Sequence, residues 1–288
     1  MITLRIHLFL FPFISCFSLL SSFAQPAGEN LAMSEAKFIP LEKTIYYKIG
    51  DTKTIPIRIS QYGPLNTVFC FNMHDNEYTA VQAARSVLEL QGGTLLRIEN
   101  GAQRLVKFKL KGLGYAFDPN RIFSREGISQ SLKENGPVSP AAVDAVEQFG
   151  QRLLQMIPDS IQCIIALHNN TEGDYSVKSY LPGGNRSTDA REVSPVASQD
   201  ADDIVFTTDH TLFEQMAAAG FNAILQHNEK VKQDGSLSVY CGNIKRSYVN
   251  IETEHGKLSQ YRVMLEKLLE VLSDTNKKSP PVNGEDSL

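Results

Sequence analysis

Two apolar runs, each broken off by a cluster of polar residues, constrain this chain more than any other feature. Thr67 to Met73 has the composition of a buried strand, and His74-Asp75-Asn76-Glu77 follows it without a gap. Ile161 to Leu167 is a second such run, and it ends on His168-Asn169-Asn170. Helical spacing begins directly after the first cluster, where Val81, Ala84, Val87 and Leu88 share one face before Gly92-Gly93 stops the pattern. A strand apolar on both faces needs cover on both sides, which a strand-to-helix alternation supplies.

The rest of the chain repeats that alternation. Thr54 to Ile59, Leu95 to Ile98 and Leu105 to Leu110 read as strands. Ser139 caps and Pro140 opens a helix running through Met156, since a proline at the first helical position lacks only an N–H that has no partner there. Thr211 to Ala219 reads as a short helix, Ser238 to Cys241 and Tyr248 to Ile251 as strands, and Leu258 to Leu272 as the last helix. The Gly-, Ser-, Asp- and Pro-rich stretch from 183 to 203 reads as a long surface loop. The expected architecture is one α/β domain over residues 44–273, a mixed, mostly parallel twisted sheet flanked by helices. A polar leader over 25–43 precedes it, and a disordered tail over 274–288 follows.

Residues 1–24 carry a single charge, Arg5, then an apolar stretch, then Ser22-Phe23-Ala24, the pattern of a signal peptide cut before Gln25. Pro12 interrupts the apolar run and leaves it short of the roughly 20 residues of a membrane span. The mature protein is therefore expected to be exported, periplasmic or secreted, without a stable membrane anchor. Removing the leader takes one Arg and no acid, moving the formal charge from −4 to −5. That balance offers no basic surface for nucleic acid. Cys70, Cys163 and Cys241 remain, an odd number in apolar runs, so buried free thiols are expected, with one bridged pair as the alternative.

In α/β sheets, functional side chains gather beyond the carboxyl ends of strands. His74 and Glu77 lie three apart at one such turn, and His168 ends another strand. Two imidazoles and a carboxylate with a fourth position open form a catalytic type of zinc site, one ion per chain, because the metal keeps a water whose pKa it lowers. The plainer reading is a helix-start carboxylate beside a surface His74, with His168 a hydrogen-bonded core or loop residue. His210, His227 and His255 read as solvated surface residues.

A His-x-x-Glu after a strand, the segment Asp118-Pro119-Asn120-Arg121-Ile122-Phe123 some forty residues on, a strand-ending His168, and Glu252 closing Ser247-Tyr248-Val249-Asn250-Ile251-Glu252 together resemble the zinc carboxypeptidase clan. The likeness is nearer to its compact branch, the succinylglutamate desuccinylase and aspartoacylase type, and covers roughly residues 67–272. By matched position the resemblance implies His74, Glu77 and His168 as zinc ligands and Glu252 as general base, with Glu254 a rival on the same strand face. It implies Asn120 and Arg121 as the pair that holds the substrate's carboxylate, a role a guanidinium fork suits; the competing role for Arg121 is to pair with Asp118 and brace a loop. Arg104 is the available match for an arginine that polarises the scissile carbonyl, although no local motif selects it over Lys107, Lys109 and Lys111. Tyr240 is the nearest match for a mobile substrate-contacting tyrosine, and otherwise a core residue.

The expected function is an exported zinc hydrolase of an amide bond next to a free carboxylate, on small peptides such as those of a cell wall. An N-acyl amino-acid amidohydrolase is the alternative within the same resemblance, and a non-catalytic binding protein on that fold is the alternative outside it.

Overall fold

The computed structural model describes residues 36–64, 67–171 and 175–278, which fall in one compact unit. The signal-peptide reading, the first part of the leader and the end of the tail lie outside them. The last part of the leader is already strand, with β1 (Leu41–Ile49) and β2 (Lys53–Tyr62) forming a hairpin. Gly50 turns that hairpin with φ +61°, and a Cβ there would stand 2.1 Å from the carbonyl oxygen of Lys109, so only glycine fits. After it come β3 (Phe69–Asn72), α1 (Tyr78–Gln91), β4 (Gly93–Ile98) and a second hairpin of β5 (Val106–Leu110) and β6 (Leu113–Phe117). A 3-10 turn at Pro119–Arg121 leads to α2 (Arg125–Asn135) and α3 (Pro140–Leu154). The second half holds β7 (Cys163–Asn170), α4 (Val177–Tyr180), β8 (Ala190–Ser194), β9 (Ile204–Thr207), α5 (His210–Ala218), β10 (Asn222–Gln226), α6 (Leu237–Asn243), β11 (Ser247–Glu254) and α7 (Leu258–Lys278).

Nine of these strands form one mixed sheet in the order β1-β2-β4-β3-β7-β11-β9-β10-β8. Parallel pairing runs through the centre, from β4 to β11, and returns between β9 and β10; the outer hairpin β1-β2, the β2-β4 join, the β11-β9 join and the edge strand β8 are antiparallel. The two faces are separate cores. Cys163, Ile165 and Leu167 of β7 pack with Val249 and Ile251 of β11 against α1, α5 and α7. Ile164 and Ala166 pack with Tyr248 on the other side, beneath α2, α3, α6 and the β5-β6 hairpin. Strand alternation then puts His168, two beyond Ala166, and Glu252, four beyond Tyr248, on that second face.

Several expectations differ from what forms. Ser238 to Cys241 is helical, not a strand: the Ser236 hydroxyl accepts from the Val239 N–H, and Leu237 and Cys241, one helical turn apart, both reach the core. The stretch 183–203 contains β8, a five-residue edge strand with no fully buried side chain and hence no strong apolar pattern to read. The last helix continues to Lys278, beyond the boundary at 273, and β1 begins two residues before the one at 43. The three cysteines are buried and free.

Candidate active site

β3 delivers His74 into the interior, fully buried, and Glu77 follows at the N-cap position of α1 with 1% of its surface exposed. A glutamate there would ordinarily satisfy a helix N–H. Glu77 makes no such bond; the Ala80 N–H is accepted instead by Asn169 Oδ1 at 3.1 Å, from the end of β7. The Glu77 carboxylate is thereby free to face two imidazoles. His74 Nδ1 lies 2.9 Å from its Oε1, and His168 Nδ1 lies 3.3 and 3.1 Å from its two oxygens.

Two ring nitrogens and a carboxylate oxygen from these residues lie within 4.8 Å of one another. His74 Nε2 is 2.7 Å from Asp118 Oδ1. An ionised Asp118 only accepts, so Nε2 carries a hydrogen and Nδ1 is the nitrogen turned towards Glu77 and His168. With no cation between them, Nδ1 faces that carboxylate only by carrying a proton of its own. Burial disfavours a charged His74, but Glu77 and Asp118 outweigh it and push the imidazole up to about 9. Burial would raise the Glu77 carboxyl, yet His74 and His168 bring it down to about 2. Asp118 is likewise held below the usual carboxylate range, against burial, chiefly by His74. The two imidazoles and the carboxylate could equally hold a metal ion, which would take the place of that proton. A second acidic group among the described residues, Asp200, Asp202 and Glu254, has the Lys257 ammonium bonded to Asp200 and Glu254.

Glu252 is set beside this group by strand register, which pairs it directly with His168 across β11 and β7. Its Oε1 accepts from Asn250 Nδ2 at 3.1 Å, while its Oε2 and His168 Nε2 are buried without a protein partner among the described residues. Burial raises the Glu252 carboxyl, Glu77 adds to the rise, and His168 and Asn250 oppose it. Glu254, its rival, is bonded to Lys257 outside the cavity.

Arg104 reaches the same group, its two terminal nitrogens 3.3 Å from Glu77 and 3.1 Å from Asp118. The loop carrying it is tied by Asp75, which accepts from the N–H groups of Asn100 and Ala102. Asn120 Oδ1 accepts from the Leu237 N–H at the start of α6, and no hydrogen bond among the described residues engages its Nδ2. Arg121 lies 3.6 Å from Asp234, so its ion pair is with that residue and not with Asp118. Gly127 and Gly235 make this arrangement possible: a Cβ on Gly127 would sit 2.4 Å from the Gly235 Cα, so α2 presses onto the loop that carries Asp234.

One cavity of about 400 Å³ is lined by His74, Glu77, His168, Glu252, Arg104, Asn120 and Arg121. That volume suits a small ligand. Tyr240 is not among its walls; its ring packs on Phe123, 6.2 Å between centroids, at the edge of the core. Tyr175, Tyr180 and Tyr248 line the cavity in its place. His255, exposed as expected, also stands at its rim, because β11 ends there. Asp118, the anchor of His74, has a sequence signal only as the first residue of the Asp-x-Asn-Arg segment.

No family model matches this chain, and no curated protein does. Solved structures do. An aspartoacylase family protein from Mesorhizobium loti is 14% identical over 81% of this chain and 67% of its own, with a TM-score of 0.43. A succinylglutamate desuccinylase from Silicibacter is 12% identical over 80% and 66%, with a TM-score of 0.40. Thrombin activatable fibrinolysis inhibitor is 11% identical over 82% and 72%, with a TM-score of 0.46. Two of these three names are those of the compact branch that the sequence motifs resemble. At such TM-scores the likeness carries no argument about chemistry, which rests on this chain's own side chains.

Proposed function

We propose that this chain is a zinc-dependent hydrolase of the carboxypeptidase clan that cuts an amide bond next to a free carboxylate. The observation that carries this reading is the single cavity shared by the His74-Glu77-His168 group, Glu252 and the Asn120-Arg121 pair. A bound zinc ion would lower the pKa of water and polarise the scissile carbonyl. Glu252 would take the proton from that water and later pass it to the leaving amine. A carboxyl raised by burial suits both halves of that exchange, since it holds the proton more firmly than an exposed one. Arg121, with Asn120 Nδ2, would bind the free carboxylate and so align the amide next to it. Arg104, bonded to Glu77 and Asp118, would offer a guanidinium to the carbonyl oxygen as charge develops there.

A peptide and an N-acyl amino acid both present an amide beside a free carboxylate, so the same residues serve either substrate. The apolar stretch over residues 6–20 and the Ser22-Phe23-Ala24 ending favour export, and an exported enzyme meets wall peptides before it meets cytosolic acyl amino acids. The deciding experiment is the metal content of the purified protein beside His74→Ala, followed by turnover of N-acylated dipeptides and N-acyl amino acids. About one zinc per chain, lost in the variant, with hydrolysis of one substrate class, is the expected result. Zinc without turnover would move the chain to a binding role, and no zinc uptake would end the metal reading.

A further inference from the structure

The cavity continues past Glu252 along the same face of the sheet, and its wall there is unusual in which polar atoms are left without partners. Gln226, at the end of β10, and Asn250, on β11, both line it and are 1% and 8% exposed. The amide nitrogen of Gln226 donates to Asn228 Oδ1 at 2.9 Å and to the Ser238 carbonyl at 3.2 Å; that of Asn250 donates to Glu252. Asn228 Oδ1 and the Ser238 carbonyl only accept, and so does an ionised Glu252, so neither amide can then be turned round without setting oxygen against oxygen. Gln226 Oε1 and Asn250 Oδ1 are therefore committed as acceptors, and both are buried with no donor among the described residues. Asn170, at the end of β7 and also on the cavity wall, repeats the pattern, its nitrogen donating to the Tyr175 and Asp202 carbonyls and its Oδ1 without a partner among the described residues. A buried acceptor left unpaired is costly, and a site built on such atoms selects the ligand that supplies the donor.

Arg186, on the same wall, does not change this polarity. Its guanidinium lies 3.4 Å from Asp189 and stacks over the Tyr175 ring, 4.6 Å to the centroid. The protein thus already supplies that cation with partners, while the amide oxygens have none.

We infer that this recess takes the side chain of the residue bearing the free carboxylate, and that this side chain ends in a nitrogen donor, an ammonium or a primary amide. The inference rests on the proposed placement of that carboxylate at Arg121. An apolar side chain would leave the acceptors unpaired, and a carboxylate would repel them. The acceptor set, read from three strands, thereby narrows the substrate to chains or acyl amino acids that end in a residue of the lysine or glutamine type.

The test needs no turnover. Free lysine, glutamine, norleucine and glutamate each carry the carboxylate that Arg121 would hold, and their binding to the purified full-length protein is measured by calorimetry. Lysine or glutamine is expected to bind at least about tenfold more tightly than norleucine and glutamate, and the order of the first two separates ammonium from amide. In Gln226→Met that ratio should shrink; the wild-type series stands alone if the variant fails to fold. Norleucine or glutamate binding as tightly as lysine and glutamine, or none of the four binding, overturns the inference. The donor preference in a protein that hydrolyses nothing would sink the hydrolase reading and keep this one. Equal hydrolysis of norleucine-ended and lysine-ended peptides would do the reverse.

Discussion

His74 Nε2 donates to Asp118 Oδ1 at 2.7 Å across 44 residues of chain, and this bond decides which nitrogen of the ring faces Glu77 and His168. Asp118 is in turn fixed at the start of the 3-10 turn, where its Oδ1 accepts from the Asn120 N–H and its own N–H donates to Ser131 Oγ. The carboxylate that orients the ligand therefore belongs to the same turn as the proposed carboxylate-binding pair.

Asp118→Asn should consequently weaken zinc binding by about 10 to 100-fold, because an amide can present its N–H to Nε2 and release the tautomer. Competition against a chelator of known affinity reads this directly. Unchanged affinity would mean that packing alone orients His74.

Glu252→Gln should retain zinc and lose at least about 100-fold in turnover, the lower end of what a general base contributes. If turnover survives while zinc is retained, the proton acceptor lies elsewhere. Glu254, bonded to Lys257 outside the cavity, is a poor substitute.

Arg121→Ala should act on substrates with a free carboxylate and spare their amidated counterparts, with most of the loss in KM. The comparison of kcat/KM on the two series is the measurement. An equal loss on both would indicate that the variant has disturbed the Asp234 loop and not a carboxylate contact.

Tyr261→Phe tests how the site is held from behind. The Tyr261 hydroxyl donates to the Ile251 carbonyl at 2.9 Å and accepts from the His168 N–H at 3.2 Å, joining β11 to β7 from α7. Removing it leaves two buried backbone groups unpaired, and a loss of about 1–3 kcal/mol in denaturant unfolding is expected. No measurable loss of stability would show that the strands hold their register unaided.

Much of this molecule is legible along the chain. The runs before His74 and His168 are apolar on both faces, so they had to be central strands, and a central strand that stops in polar residues marks a site. The α1 pattern and the Ser139-Pro140 start of α3 are equally local, resting on side-chain spacing and a cap. Elements whose burial depends on distant partners left no such trace. β8 and β1 are edge strands with hardly a buried side chain between them, and α6 is a single short helix whose β-branched and aromatic residues have strand propensity.

The site divides in the same way. Position directly after a strand singled out His74, Glu77 and His168, and the resemblance of short motifs to the zinc carboxypeptidase clan added Asn120, Arg121 and Glu252. Register and packing decided the rest. Pairing of β11 with β7 set Glu252 and not Glu254 opposite His168, the fold of the 95–105 segment brought Arg104 and not a neighbouring lysine to Glu77, and helix formation at 237–243 carried Tyr240 away from the cavity. Local sequence encodes which backbone a segment prefers and which chemistry it carries; which side chains meet across 90 residues is a property of the packed sheet, and no single segment contains it.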